Sequence, residues 1–357
     1  MVFYLVAVSV TGQVVEPDLD GPYIKFNRSG HRPEIRWVDR ATGETYTKKG
    51  VDGLSDLPTF AGFHPESLNL RQSFEREKKF EFSDVEKVAA LSDIHGQYEV
   101  ARRLLVLHGI MDDAENWTYG EGHLVIVGDV FDRGDQVTPA LWLIYHLQQQ
   151  AKVAGGQVHF LLGNHETMVM EHDLRYVNKT YLETAKAIGT HYYKLFDEHT
   201  FLGRWLRTLP LSIKINDAVY VHGGFSREVV NEIGGLTKLN EVYHDYLLGY
   251  RAQTAAWHSK RLDLLHGRRG PLWYRGYFDR RRFTSNDIDA ILTSLDAKHI
   301  IVGHTSFDAI KRYFGDRIIA VDSSIKFGSM GELLLIRDGQ FRRGTLTGEI
   351  LELEPIQ

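Results

Sequence analysis

Val88-Ala89-Ala90-Leu91-Ser92-Asp93-Ile94-His95-Gly96-Gln97 is the stretch on which the reading of this chain turns. An apolar run of strand length ends in a polar turn that carries an acid and a histidine two residues apart. Side chains at i and i+2 of an extended chain point the same way, so Asp93 and His95 can reach one ion together. Gly96 lets the backbone turn sharply into Tyr98–Leu107, whose apolar residues recur at helical spacing. The same grammar returns four times. Leu124–Val127 runs into Gly128-Asp129-Val130-Phe131-Asp132-Arg133-Gly134, and Val158–Leu162 into Gly163-Asn164-His165-Glu166. Val219–Val221 runs into His222-Gly223-Gly224, and Ile300–Val302 into Gly303-His304-Thr305. Ligands gather at the strand ends of open α/β sheets. Any one of these motifs is an ordinary occurrence. Together, Asp93, His95, Asp129, Asn164, His222 and His304 form a set of hard oxygen and borderline nitrogen donors. Such a set suits Mn, Fe or Zn better than a dedicated calcium site.

Further apolar runs lie at Ile318–Val321 and Leu333–Ile336, and a second helical pattern at Pro139–Gln150. Strands alternating with helices imply an α/β fold. The hairpin Leu333–Phe341, turned at Asp338-Gly339, adds antiparallel pairing and makes the sheet mixed. Residues up to about 80 read differently. Short β-like pieces, Pro22–Phe26 and Glu34–Val38, are separated by Arg28-Ser29-Gly30 and followed by Ala41-Thr42-Gly43. The expectation is a small N-terminal β unit or arm over 1–80 and a catalytic domain over 81–357, with helical inserts at about 166–206 and 227–286 forming the rim of the site.

Composition narrows the functions open to the chain. Its 357 residues are 43% hydrophobic and 25% charged, ordinary for a globular protein. A net charge of −5 gives no sign of a nucleic-acid partner. No cysteine is present, which excludes disulfides, thiolate metal sites and a cysteine nucleophile, while 17 histidines supply nitrogen ligands. No run is long and apolar enough to span a membrane. The apolar run Val2–Val10 reads either as a buried first strand or as the remnant of an export signal. The second reading places the protein in the periplasm or outside the cell, the first in the cytoplasm. Tyr181, Tyr192, Tyr193, Phe196 and Trp205 read as core, and Arg280-Arg281-Arg282 as a solvated charge run.

The five motifs together resemble the calcineurin-like metallophosphoesterase superfamily, most closely its phosphoprotein-phosphatase branch. The wording of Gly128–Gly134, with Leu202–Arg207 and Gly270–Arg275, is similar to the Shewanella-like phosphatases, a group that includes cold-active phosphotyrosine phosphatases. The resemblance covers about residues 85 to 340. It implies a mixed β-sandwich flanked by helices, a four-layer α/β/β/α arrangement, and two divalent metal ions. It places Asp93 and His95 on the first ion, Asp129 between both, and Asn164, His222 and His304 on the second. Many superfamily members carry another histidine at the position of Ser306; the phosphoprotein-phosphatase branch does not.

Two metal ions can generate a hydroxide at neutral pH and neutralise phosphoryl oxygens, and in-line attack by that hydroxide is the implied chemistry. Arg133 and Arg275 would grip the phosphate with planar forks, beside Asn164. His165 would protonate the leaving oxygen, oriented by Asp132, and Glu166 would hold the loop. The implied substrate is a phosphoprotein or phosphopeptide, phosphotyrosine ahead of phosphoserine and phosphothreonine. A dinucleoside polyphosphate would use the same centre. A non-catalytic scaffold would be expected to lose ligands first, and all six are here. Metal identity and oligomeric state are not legible from the sequence.

Overall fold

The structure, a computed structural model, describes residues 18–27, 33–50, 54, 56–70, 73–245, 264–279 and 281–353. Val2–Val10, Arg28-Ser29-Gly30 and Arg280 lie outside the described residues.

Among the described residues the strands form three sheets. The first sheet follows the order β15 (Ile350–Glu352), β14 (Gln340–Thr345), β13 (Glu332–Arg337), β5 (Lys87–Leu91), β6 (His123–Ile126) and β7 (Gln157–Phe160). The second follows β11 (Lys311–Tyr313), β12 (Ile318–Ala320), β10 (His299–Val302), β9 (Ala218–Val221), β8 (Ser212–Ile215) and β4 (Glu81–Phe82). Both are mixed. β5, β6 and β7 are parallel while β13 runs against β5. β9, β10 and β12 are parallel while β8 runs against β9. The turn between β13 and β14 is the expected two-residue one. Arg337 pairs with Gln340, and Asp338 and Gly339 both have positive φ, which is type I′ geometry.

Alternate residues of each central strand belong to two different cores, as period-two side chains require. Val88, Ala90, Val125, Val127, Tyr220 and Ile301 fill the space between the two sheets. Ala89, Leu91, Leu124, Ile126, Ile300 and Val302 join the core shared with the helices. With both faces buried, the strands read as unbroken apolar runs. Helix α1 (Tyr98–Leu107) buries Tyr98, Ala101, Leu104 and Leu105, a single helical stripe.

Helix α2 (Val137–Val153) is different, because Ala140 through Leu147 are all buried. One side covers β7 and the other is covered by the third sheet, β1 (Leu19–Phe26), β2 (Pro33–Asp39) and β3 (Glu44–Lys49), which is antiparallel throughout. Trp142 Nε1 donates to the Pro22 carbonyl across that contact, at 3.2 Å. The stretch from 164 to 206 holds α3 (Asn164–Met170), α4 (Lys179–Ile188) and α5 (Phe201–Leu206). Its aromatics Tyr181, Tyr192, Phe196 and Trp205 are buried core, while Tyr193 is half-buried and stacks on His172 at 3.8 Å.

Candidate metal centre

All five motif loops leave strands at one end of the sandwich, three from the first sheet and two from the second. They meet across the gap between the sheets. The His304 amide donates to Asp93 Oδ2 at 2.9 Å, and His222 Nδ1 donates to the Val127 carbonyl at 2.7 Å. Close approach demands glycine here. A Cβ on Gly303 would lie 2.0 Å from Ser92 Oγ, and one on Gly163 would lie 2.2 Å from Asp129 Oδ1.

The residues brought together are the six expected ones, all buried. Asp129 sits at the middle. Its Oδ2 lies 3.1 Å from His222 Nε2, 3.7 Å from His95 Nε2 and 3.8 Å from His165 Nε2. Asp93 Oδ1 lies 3.7 Å from His95 Nε2, and Asn164 Oδ1 lies 3.1 Å from His222 Nε2. Two trios of possible ligand atoms result, His95–Asp129–His165 and Asp129–His222–His304, and Asp129 is common to both. His165 stands in the first trio where the sequence reading puts Asp93.

The protonation of the rings suits cation binding. His95 Nδ1 is 2.7 Å from the Phe131 carbonyl, and His222 Nδ1 is held by the Val127 carbonyl. A carbonyl only accepts, so each ring keeps a proton on Nδ1 and aims Nε2 inward, as a metal-ligating histidine does when a carbonyl holds its outer nitrogen. Burial disfavours charge on His222, but Asp129 and Asp93 outweigh it and raise its pKa to about 10. The pocket therefore stabilises positive charge at that nitrogen. Burial, with the positive His222 and Arg275 nearby, lowers His304 to about 3, and its Nε2 is buried without a hydrogen-bond partner. An unsatisfied buried nitrogen costs about 1–3 kcal/mol, a cost that a coordinated cation removes. Burial opposes the charged forms of Asp93 and Asp129. The surrounding histidines prevail and hold both carboxyls below their ordinary range. The donor set, its charge and its orphaned nitrogen fit divalent ions.

Backbone strain marks the same residues. Asp93 (φ 56°), His95 (47°), Asp129 (59°), Asp132 (71°), Arg133 (66°) and His304 (64°) all occupy the left-handed region. Each costs about 1–3 kcal/mol in a non-glycine residue and persists only where the surroundings enforce it. Glu166 is one enforcer. Its carboxylate accepts the amides of Asp129 (2.8 Å), Val130 (2.7 Å), Phe131 (3.2 Å) and Gly163 (2.7 Å).

His165 Nδ1 lies 2.5 Å from Asp132 Oδ2. Burial lowers the pKa of His165, but Asp129, Asp132 and Glu166 together raise it. Arg133 is exposed, with its guanidinium 5.5 Å from the Tyr176 ring centroid, and Asp132 is turned to His165. Arg275, also exposed, donates through Nη1 to the His304 carbonyl (2.7 Å) and to Thr305 Oγ1 (3.0 Å). Tyr176 and Lys326, which were not singled out in the sequence, line the same pocket with Trp273 and Ser306. Ser306 donates to Asp322 and accepts from Lys326 Nζ. Asp322 had a signal, since it follows the apolar run Ile318–Val321 just as the other polar groups follow theirs. Tyr176 had none.

Comparison with known proteins agrees with this geometry. The calcineurin-like phosphoesterase family model matches residues 86–306. The structure of a cold-active protein-tyrosine phosphatase from a psychrophilic Shewanella is 38% identical with a TM-score of 0.83, covering 94% of this chain and 100% of its own. Shewanella-like protein phosphatase 2 of Arabidopsis thaliana is 25% identical over 87% of this chain and 88% of its own length. Shewanella-like protein phosphatase 1 of Plasmodium berghei is 26% identical over 61% of each. The chain belongs to the calcineurin-like phosphoesterase family.

Proposed function

We propose that the chain is a two-metal protein phosphatase that hydrolyses phosphate monoesters on proteins, phosphotyrosine ahead of phosphoserine and phosphothreonine. The observation that carries this reading is one buried carboxylate, Asp129, facing two sets of inward-aimed ring nitrogens. In this reading Asp93 and His95 would hold the first ion, Asn164, His222 and His304 would hold the second, and Asp129 would serve both. The nitrogen and oxygen donors suit Mn, Fe or Zn. When bound, such ions supply Lewis-acid neutralisation of phosphoryl charge and a water made nucleophilic at neutral pH. The protein's own groups do the rest. Arg133 and Arg275 present planar forks to the phosphoryl oxygens, with Asn164 beside them. His165, fixed through Nδ1 by Asp132, donates from Nε2 to the departing oxygen. The preference for phosphotyrosine is supported by the Shewanella relative, a protein-tyrosine phosphatase.

Metal-loaded protein assayed against p-nitrophenyl phosphate, a phosphotyrosine peptide, a phosphoserine peptide and diadenosine tetraphosphate tests the reading. Fastest turnover on the phosphotyrosine peptide is expected. Turnover of the diadenosine compound alone would overturn it. We also propose residues 1–80 as an accessory unit of the catalytic domain 81–357. No helix among the described residues is long and apolar enough to cross a membrane. N-terminal sequencing of the mature protein decides whether Val2–Val10 is removed on export.

A further inference from the structure

Asp132 and Arg133 sit side by side in the left-handed region, so their loop must be held from outside. Its near end is held by the segment before α4. The Arg133 amide donates to the Tyr176 carbonyl at 3.0 Å, and Asn178 Nδ2 donates to the Arg133 carbonyl at 2.7 Å. Asn178 is also the N-cap of α4, accepting the Thr180 amide. The far end is held by groups that include the N-terminal sheet. Arg40, directly after β2, donates through Nη1 to the Asp135 carbonyl at 2.9 Å. Its Nη2 pairs with Asp20 Oδ2 at 3.0 Å, and its guanidinium lies 4.5 Å from the Tyr181 ring centroid. The Tyr181 hydroxyl accepts the Thr138 amide at 2.9 Å, and Tyr23 OH lies 3.1 Å from Thr138 Oγ1. Asp20 is only 2% exposed; the Tyr23 hydroxyl donates to its carboxylate at 3.0 Å, and Arg40 is the cation paired with it.

Asp20, Tyr23 and Arg40 all precede the segment that the family model matches, residues 86–306. We infer that Arg40, locked by Asp20, is a positioning residue that sets the Asp132–Arg133 loop and thereby governs affinity for the phosphate dianion. The inference rests on the proposed role of Arg133 as the phosphate contact. A surface arginine with a merely local role would not be stacked on one buried ring, paired with a buried acid and bonded to the backbone of this loop. Those three restraints fix the guanidinium in one place, and Asp135 is two residues from Arg133.

The test uses the full chain, metal-loaded, with p-nitrophenyl phosphate as substrate and inorganic phosphate as competitive inhibitor. Replacing Arg40 alone strands a buried carboxylate, so the variant is the neutral pair Asp20→Asn with Arg40→Met. Tyr181→Phe is the milder companion should the pair fail to fold. The pair should raise KM and the phosphate Ki about tenfold while kcat and metal content hold, the scale of one lost charge-assisted hydrogen bond. Tyr181→Phe should raise both about threefold. In an Arg133→Ala background neither change should raise Ki further. A purely structural role would instead lower the active fraction and melting temperature equally in both backgrounds. Wild-type KM and Ki in the folded variants, or an equal rise with and without Arg133, would overturn the inference. If Arg133→Ala itself leaves the phosphate Ki unchanged, the reading of Arg133 fails instead.

Discussion

Four histidines meet around Asp129 and two stack beside Glu115, and the two groups differ in how their ring nitrogens could meet a metal ion. His64, Glu66 and His146 also place possible ligand atoms within 4.8 Å of one another. The difference lies in ring orientation. Around Asp129 the rings are splayed, with His95 and His165 at 87° and His222 and His304 at 64°. An imidazole lone pair lies in the ring plane, so splayed rings can converge on one point. His64 and His146 are stacked 3.7 Å apart at 14°, and their in-plane lone pairs run side by side. Three of their four ring nitrogens are also committed, and only His146 Nε2 lacks a partner. His64 faces Glu115 at 2.8 Å and Glu66 at 3.2 Å, and His146 Nδ1 faces Ser67 Oγ at 2.6 Å. Around Asp129, carbonyls take the outward nitrogens of His95 and His222, Asp132 takes that of His165, and the inward nitrogens face Asp129 or, at His304, have no partner. Residue type is common to both clusters; the second layer decides between them.

The harshest way to break this comparison is Asp129→Asn. Its carboxylate is the atom group both trios share, so both metals should be lost. Activity on p-nitrophenyl phosphate should fall more than about a thousandfold, because nucleophile supply and charge neutralisation are each worth several kcal/mol. His146→Ala should leave metal content unchanged. Elemental analysis of the two purified variants reads both outcomes, and equal metal in both would erase the distinction. A finer cut separates His165 from the ligands. As an acid, His165→Gln should retain both metals and lower kcat about a hundredfold on a phosphoserine peptide. The loss should be smaller on p-nitrophenyl phosphate, whose leaving group needs little protonation. Equal losses on both substrates, or loss of metal, would return His165 to the ligand set of its trio.

The sequence exposed the centre because burial on both faces leaves each ligand-bearing strand as a plain apolar run. Val88–Leu91 and Ile300–Val302 needed no partner to be recognised. β8 was missed because Ser212-Ile213-Lys214-Ile215 is short and alternates, with Lys214 bonded to Asp296 outside the sheet. The left-handed backbone was also hidden, since it falls on Asp and His and the neighbouring glycines drew attention instead. Tyr176 reaches the pocket from an insert beyond Asn164, and nothing local in the chain distinguishes it from the core tyrosines. The Asp20–Arg40 pair ties the start of β1 to the residue after β2, and its meaning depends on a loop about a hundred residues away. Local patterns reveal strands and the residues that end them, while contacts made across the fold have no such signature.

The smallest expected effect sharpens the comparison from the other side, because the two stacked rings titrate in opposite directions. The hydrogen bond to Glu115 raises the pKa of His64; burial opposes it, and the charges of Glu115 and Glu66 add to it. A raised histidine contributes stability that is full below its unfolded value of about 6.5 and lost as pH rises through the folded value. Burial, then the positive His64, lowers His146 to about 4. Its neutral form is the folded one, so its contribution is full above about 6.5 and lost as pH falls through about 4. The stability deficit of His64→Gln should therefore grow between pH 8 and pH 5, while that of His146→Gln should shrink over the same interval. Urea unfolding midpoints at four or five pH values measure both slopes. His64 is partly exposed, so solvent screening keeps its slope shallow. Slopes of the same sign would mean that the two rings share one proton. The parallel with the centre around Asp129, where neighbouring histidines His222 and His304 also part in opposite directions, would then fail.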